Sequence, residues 1–355
     1  MKPTQKKRTP EAKPRIAQTI TMRDVAREAR VSLGTVSRVV NKHPAVKPEI
    51  RQRVEAAIVQ TGWQPNVVAQ SMRTASTRMI GCVLPDTSNP LFVAVAKGAE
   101  EVLREHGYAF VLANSNSDGE RDLELLNLLL QRRVDGLLFA PSDEYDPRIL
   151  SLLERTRTPT VLIERELPLD CDYVASNQCN GIRQAVDYLL SIGHRRIALV
   201  TGQQRIRPGR ERYKGFVQAF ERAGLRFDPA LVRLDSMDAS YAYREVQRLM
   251  ELHEPPTAII MGGNLMLPGA LRACALKDVR IPADVSIVAV GETDLAELAS
   301  PPITTVRWNL EAMGREAASI VMERIAAKPS ADKRESRRII VPTEIVLRRS
   351  CAPLK

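Results

Sequence analysis

Residues 21–41 read TMRDVAREARVSLGTVSRVVN. Val25, Ala26, Ala29, Val31, Val36 and Val39 can face one another only if two short helices cross at a tight turn around Arg30–Ser32. Thr21 followed by Asp24 is an N-cap signal for the first helix, and Ser32 is placed to cap the second. The segment 35–41 then presents Thr35, Ser37, Arg38 and Asn41 on its outer face, side chains suited to phosphates and base edges. Two helices joined by a short turn, the second polar and basic outside, make a helix-turn-helix.

The competing reading is a small structural helical pair, and charge separates the two. Residues 1–75 contain 15 Lys/Arg against 5 Asp/Glu, whereas the rest of the chain contains 37 of each. The whole formal charge of +10 therefore sits at the helix-turn-helix end. A polyanionic partner is the economical explanation.

At 355 residues, 44% of them hydrophobic, the chain is long enough for two or three domains. The N-terminus is polar and basic without an apolar core segment, and no run approaches membrane-spanning length, so a cytoplasmic protein is expected. Cys82, Cys171, Cys179, Cys274 and Cys351 are scattered, without CxxC or Cys/His ligand spacing, and read as reduced thiols. Neither a metal site nor a cofactor is expected.

Residues 1–18 are basic and proline-bearing and read as a disordered tail. Residues 19–64 form the helix-turn-helix unit, completed by a third helix in which Ile50, Val54, Ala57 and Ile58 recur at helical spacing behind Pro48. The sequence Trp63-Gln64-Pro65-Asn66 interrupts it. A short helical piece follows within a hinge and linker at 65–77, too short to be stable alone. From residue 78 to 355 the texture changes. Apolar runs MIGCVL, YAFVLAN, VDGLLFA, PTVLIE, RRIALVTG, PTAIIMGG and VSIVAVG alternate with amphipathic stretches 92–105, 122–131, 182–192, 212–223 and 241–252. Alternating strands and helices predict parallel sheets covered on both faces, here two α/β lobes with a ligand cleft at the strands' carboxyl ends.

The spacing T-M-R-D-V-A-x-x-A-x-V-S-x-x-T-V-S-R-V-V-N, followed by P-N-x-V-A-Q-S-M, resembles the LacI/GalR family of bacterial repressors, and the resemblance runs essentially to the C-terminus. It implies an all-α headpiece that binds operator DNA as a homodimer, with the second helix in the major groove and paired hinge helices in the minor groove. It also implies a core like that of periplasmic binding proteins, in which the chain crosses between lobes near Asn177, Thr305 and Ser336. On the matching positions Leu33, Gly34 and Arg38 would read bases, while Met22, Ser32, Thr35, Ser37 and Asn41 would hold phosphates. Ala69 would approach the minor-groove floor, Met72 stands where the family carries a wedging leucine, and Arg73 beside it joins the DNA-facing set. Leu33 and Gly34 bring no side-chain hydrogen bonds, so direct readout would rest on Arg38.

For the small-molecule effector, the family pattern points to Asn89 and Phe92 in the loop PDTSNPLF and to Arg212 in RYKGF. Arg165 beside Glu164, Asn264 in GGNLM and Glu292 in AVGET complete the candidate set. Where sugar-binding members carry acids, this chain has Ser176, Asn264 and Gly291, while Arg205, Arg207 and Arg210 crowd the loop before Arg212. A pocket that loses carboxylates and gains guanidinium groups suits an anion, such as a sugar acid. Ligand binding between the lobes would be linked to operator affinity.

An enzyme reading finds no GxGxxG, P-loop, GxSxG or HExxH. Asp86, Asp118, Asp143, Asp294 and Glu292 are loop carboxylates without a catalytic pattern. A small-molecule-binding protein without operator specificity is the remaining alternative, which the basic head opposes.

Overall fold

The computed structural model describes residues 20–41, 43–64, 76–327 and 335–354. The chain divides into two compact units, Met1–Ala75 and Ser76–Lys355. The basic tail and the hinge helix, with Ala69, Met72 and Arg73, lie outside the described residues.

The first unit contains α1 (Met22–Glu28), α2 (Leu33–Val40) and α3 (Pro48–Thr61). Asp24 accepts hydrogen bonds from the Thr21 amide (2.9 Å) and hydroxyl (2.7 Å), and these bonds hold its carboxyl below the usual range. Ser32 Oγ accepts the Thr35 amide at 3.2 Å, as the sequence predicts. Val25, Ala26, Ala29, Val36, Val39, Val54 and Ala57 are buried together. Trp63, read from sequence as part of an interruption, is instead buried in this cluster and supplies the largest side chain there. The turn between α1 and α2 places Arg30 at φ 52 without a glycine. Arg53 on α3 braces it, donating to the carbonyl oxygens of Ala29 (2.6 Å) and Arg30 (3.4 Å).

In the second unit the chain runs through β1 (Met79–Leu84), α4 (Pro90–Glu105), β2 (Ala109–Asn114), α5 (Gly119–Gln131), β3 (Gly136–Phe139), α6 (Pro147–Arg155), β4 (Thr160–Ile163) and β5 (Asp172–Ser176). It then builds a second lobe from α7 (Gln178–Ser191), β6 (Ile197–Gly202), α8 (Arg207–Arg222), β7 (Val232–Asp235), α9 (Ala239–Met250), β8 (Ala258–Met261), α10 (Leu267–Leu276), β9 (Ser286–Val290), α11 (Asp294–Leu298) and β10 (Thr304–Arg307). Finally α12 (Leu310–Ala326) and β11 (Arg338–Val341) return to the first lobe, and β12 (Glu344–Val346) to the second.

Each lobe is a six-stranded sheet, ordered β11-β5-β4-β3-β1-β2 and β12-β10-β9-β8-β6-β7. All pairings are parallel except that of β12 with β10. Apolar clusters cover both faces of each sheet, which is why the strands read as continuous apolar runs. The crossings fall at Asn177, between Arg307 and Leu310, and between Val341 and Glu344. The third lies beyond the expected Ser336, because β11 still belongs to the first sheet beside β5. Five helices begin two to five residues before the expected amphipathic stretches. Four of these first turns are specified by caps, Asn89, Asp118, Asn177 and Asp238, and not by apolar spacing, whereas α8 has Ile206 at its N-cap position and no side-chain cap.

Helices α4 and α12 touch backbone to backbone. A Cβ at Gly98 would overlap the Glu311 carbonyl, and one at Gly314 the Val95 carbonyl. Alanine is the better helix former by about 1 kcal/mol, so Gly314→Ala would stabilise an exposed helix. Here the overlap decides, and the substitution is expected to destabilise the core by about 1–3 kcal/mol. Thermal unfolding of the full chain checks this; an unchanged or raised midpoint would contradict the packing described.

Candidate functional site

Helix α2 carries the nucleic-acid candidate face. Ser32, Leu33, Gly34, Arg38 and Asn41 are exposed, and Thr35 and Ser37 are half-buried. Leu33 keeps 45% of its surface open, a large apolar side chain on a polar face. The hydroxyls are pre-arranged: Ser32 Oγ lies 2.9 Å from Thr35 Oγ1, and Asn41 Nδ2 donates to the Ser37 carbonyl at 2.7 Å. Met22 differs from the others, because its side chain packs against the three-helix core. Among the described head residues the ion pair found is Arg27–Asp24 (3.1 Å), so most of the positive charge on those residues is left for an external anion.

In the second unit a cavity of about 740 Å³ lies between the lobes. It brings together Asn89, Phe92, Arg165, Arg212 and Asn264, five of the six effector candidates. Glu292 is not among its lining residues. Its carboxylate pairs with Arg348 (2.8 Å) and accepts from Thr305 (2.8 Å), so it serves the end of the second sheet and not the cleft.

The floor of the cavity is a buried polar network. Arg212 on α8 donates through Nε to Gln178 (2.9 Å) and through Nη1 to the Gly262 carbonyl. Burial pulls its pKa down to about 10, with Glu164 opposing that shift and Arg165 adding to it. Arg165 donates to the carbonyl oxygens of Pro141 (2.6 Å) and Glu164 (3.0 Å), and burial lowers its pKa too. Glu164 Oε1 accepts from the Ser176 hydroxyl (2.6 Å), while its buried Oε2 has no partner among the described residues. Gln178 links Ser176 to Arg212. Trp308, Phe92, Leu265 and Met237 give apolar wall.

The arginine crowding inferred from sequence resolves differently. Arg205 pairs with Asp143, Arg210 with Glu144 at 2.9 Å, and Arg207 Nε lies 3.7 Å from Glu166. These acids come from the opposite lobe, so three of the guanidinium groups are neutralised across the cleft. Asn264 Nδ2 donates to Asn89 Oδ1 (2.9 Å) and closes the far side. Gly291 takes φ 100, and a Cβ there would meet Asn264 Cβ at 3.0 Å, so no carboxylate can occupy that position at low strain. Sequence reasoning passed over Gln178, Trp308, Asp235 and Asp238 in the lining. Gln178 is the first residue of a helix capped by Asn177, and that cap is the signal that could have found it. Trp308 carried none, since its position depends on the second crossing.

Residues 21–66 match the model of bacterial regulatory proteins, lacI family, and residues 186–351 match that of a periplasmic binding protein-like domain. The chain is 32% identical to the HTH-type transcriptional regulator DegA of Bacillus subtilis over 94% of its own length and 98% of that protein. The chain belongs to the LacI family. The Ribose operon repressor of Escherichia coli is 31% identical over 86% of this chain and 93% of that protein. A solved transcriptional regulator CelR-cellobiose complex superposes with a TM-score of 0.71 at 30% identity, covering 93% of this chain and 99% of that one. As a LacI-family member the protein is a DNA-binding transcriptional regulator with an N-terminal helix-turn-helix and a two-lobed ligand-binding core. No helix among the described residues is long and apolar enough to cross a membrane, and no cluster among them has three metal-ligating side chains.

The Arg53 brace gives a direct test of how the family's turn is held here. Arg53→Met keeps the apolar stem and removes the donors to Ala29 and Arg30, and is expected to destabilise the head by about 1.5–3 kcal/mol. Urea unfolding followed by Trp63 fluorescence in a Trp308→Phe background reads this; an unshifted head transition would argue against the brace.

Proposed function

We propose that this LacI-family protein is a repressor that binds operator DNA as a homodimer through α2, and that a hydroxylated acid of sugar size in the cleft sets its operator affinity. The observation that carries the ligand assignment is the cleft floor. Two buried guanidinium groups, Arg212 and Arg165, have their pKa pulled down by burial and gain from an added anion. Beside them the unpartnered Glu164 Oε2 calls for a hydroxyl donor. A carboxylate on Arg212 and a hydroxyl on Glu164 meet both needs in one molecule. The names of the ribose repressor and of the cellobiose complex support a saccharide scaffold.

A neutral sugar is the second reading, favoured by Asp235 and Asp238 in the lining and by the cross-cleft neutralisation of Arg205, Arg207 and Arg210. The cleft in either case binds and performs no chemistry. A ligand that prefers one arrangement of the lobes shifts the operator equilibrium by its difference in affinity for the two states.

On the DNA side, Arg38 is the side chain on α2 best able to grip a guanine edge. Arg38→Ala is expected to weaken specific operator binding by about 1–3 kcal/mol while leaving weak nonspecific binding in place. Gel shifts with genomic fragments read this, with deletion of residues 1–75 as the control that abolishes retardation. Retardation that survives the deletion, or an Arg38→Ala variant with undiminished specificity, overturns the assignment. On the ligand side, calorimetric titration with aldoses and the matching aldonic and uronic acids is expected to favour the acids. Arg212→Lys is expected to lower that affinity by at least about tenfold, because a point charge does not replace the planar fork. Tight binding of the neutral sugar alone would refute the acidic ligand and leave the operator assignment standing.

A further inference from the structure

Helix α8 starts without a cap of its own. Ile206 occupies its N-cap position and offers no side-chain acceptor. The first turn, Arg207-Pro208-Gly209-Arg210, has two cations and no acid. Cations are unfavourable at the positive end of a helix, where the first amides also lack intrahelical acceptors.

The missing groups come from the other lobe. Glu144, whose side chain is fully buried, accepts the Arg207 amide at 2.7 Å through Oε1 and pairs with Arg210 at 2.9 Å through Oε2. The same Oε1 accepts the Glu166 amide at 3.1 Å, which ties the carboxylate to its own lobe. Arg207 Nη1 adds a buried bond to the Ser176 carbonyl of the opposite lobe (2.9 Å), and the other contacts across the cleft are weaker. Arg205–Asp143 is largely open to solvent, where such pairs contribute little. Asn89–Asn264 is a neutral pair whose groups water can satisfy.

We infer that Glu144 is a positioning residue for the ligand cleft: it caps α8 from the opposite lobe, so that closing the lobes and placing Arg212, farther along the same helix, are one event. When the lobes part, the Arg207 amide and the Arg210 guanidinium lose Glu144 together, and the Arg207 guanidinium loses Glu166 (3.7 Å) and the Ser176 carbonyl (2.9 Å). The start of α8 then loosens, and Arg212 keeps only the support of its own lobe, its bonds to Gln178 and the Gly262 carbonyl. Sequence and charge on α8 fit this role, since Arg207 and Arg210 make sense at a helix start only when an acid arrives from outside. The inference rests on α8 carrying Arg212 into the cleft and not on which ligand binds there. It can therefore fail while the acidic-ligand assignment stands, and the reverse.

Amide hydrogen exchange on the full chain without ligand tests it. Glu144→Ala is expected to speed exchange by about tenfold in residues 206–210 and in the loop 142–146, as loss of a charge-assisted bond implies, with α12 unchanged. Adding Ile206→Asp gives α8 a cap within its own lobe. The double variant is expected to restore slow exchange at 206–210 while the loop 142–146 stays fast. Unchanged exchange at 206–210 in Glu144→Ala overturns the inference, and so does recovery of both segments in the double variant. Should Glu144→Ala show no cooperative melting, Glu144→Gln decides. It keeps an acceptor for the amide and loses the charge, and is expected to give a smaller rise in the same two segments; no rise overturns the inference.

Discussion

The two lobes are joined by three passages of chain, and these passages are themselves bonded together. The Asn177 amide donates to the Val341 carbonyl (2.9 Å), and Thr343 Oγ1 donates to the Asn177 carbonyl (3.0 Å). Gly181 lets this bundle close, since a Cβ there would press on Thr343 at 3.1 Å. This seam constrains everything above it. Ser176 and Gln178, on either side of Asn177, begin the buried hydrogen-bond chain that ends at Arg212. Trp308, at the second passage, packs against clusters of both lobes and also lines the cavity. The cleft is therefore not a gap between two finished domains. It is built from residues at the joints.

Charge is handled in two contrasting ways. In the head, the cations among the described residues are mostly exposed, as a surface for polyanions requires. In the core, where acids and bases balance, carboxylates face guanidinium groups across the cleft. An arginine count along the loop before Arg212 overstated the positive character of the pocket for this reason. The partners Asp143, Glu144 and Glu166 lie more than forty residues away in sequence and reach α8 only through the fold. What survives of the anionic argument is narrower and rests on burial. The proposed acidic ligand rests on Arg165 and Arg212 lying at 4% exposure each, with Glu164 beside them.

Much of the fold was legible in the residues. Seven apolar runs each became a strand; in all but the edge strand β2 this is because a parallel strand buried on both faces must be apolar throughout. Strands such as Asp172–Ser176 and Thr304–Arg307 escaped notice, since their polar side chains are buried by partners found only in the fold, Arg324 for Asp172 and the Arg348 amide for the Thr304 hydroxyl. Short elements with little apolar character, among them β7 and α11, were missed for a similar reason.

The sequence by itself determined the helix-turn-helix, its capping by Thr21, Asp24 and Ser32, the position of the positive charge, and the strand–helix alternation of the core. These depend on residues at most a few positions apart, where spacing and propensity act directly. Only the tertiary structure decided that Glu292 serves Arg348 and Thr305 and not the cleft, that Trp63 completes the head's core, and that α8 is capped by a carboxylate from the opposite lobe. Those outcomes are set by which distant segments meet. Hydrogen bonds and ion pairs, being short-ranged and directional, take effect only after burial of apolar surface has brought the segments together.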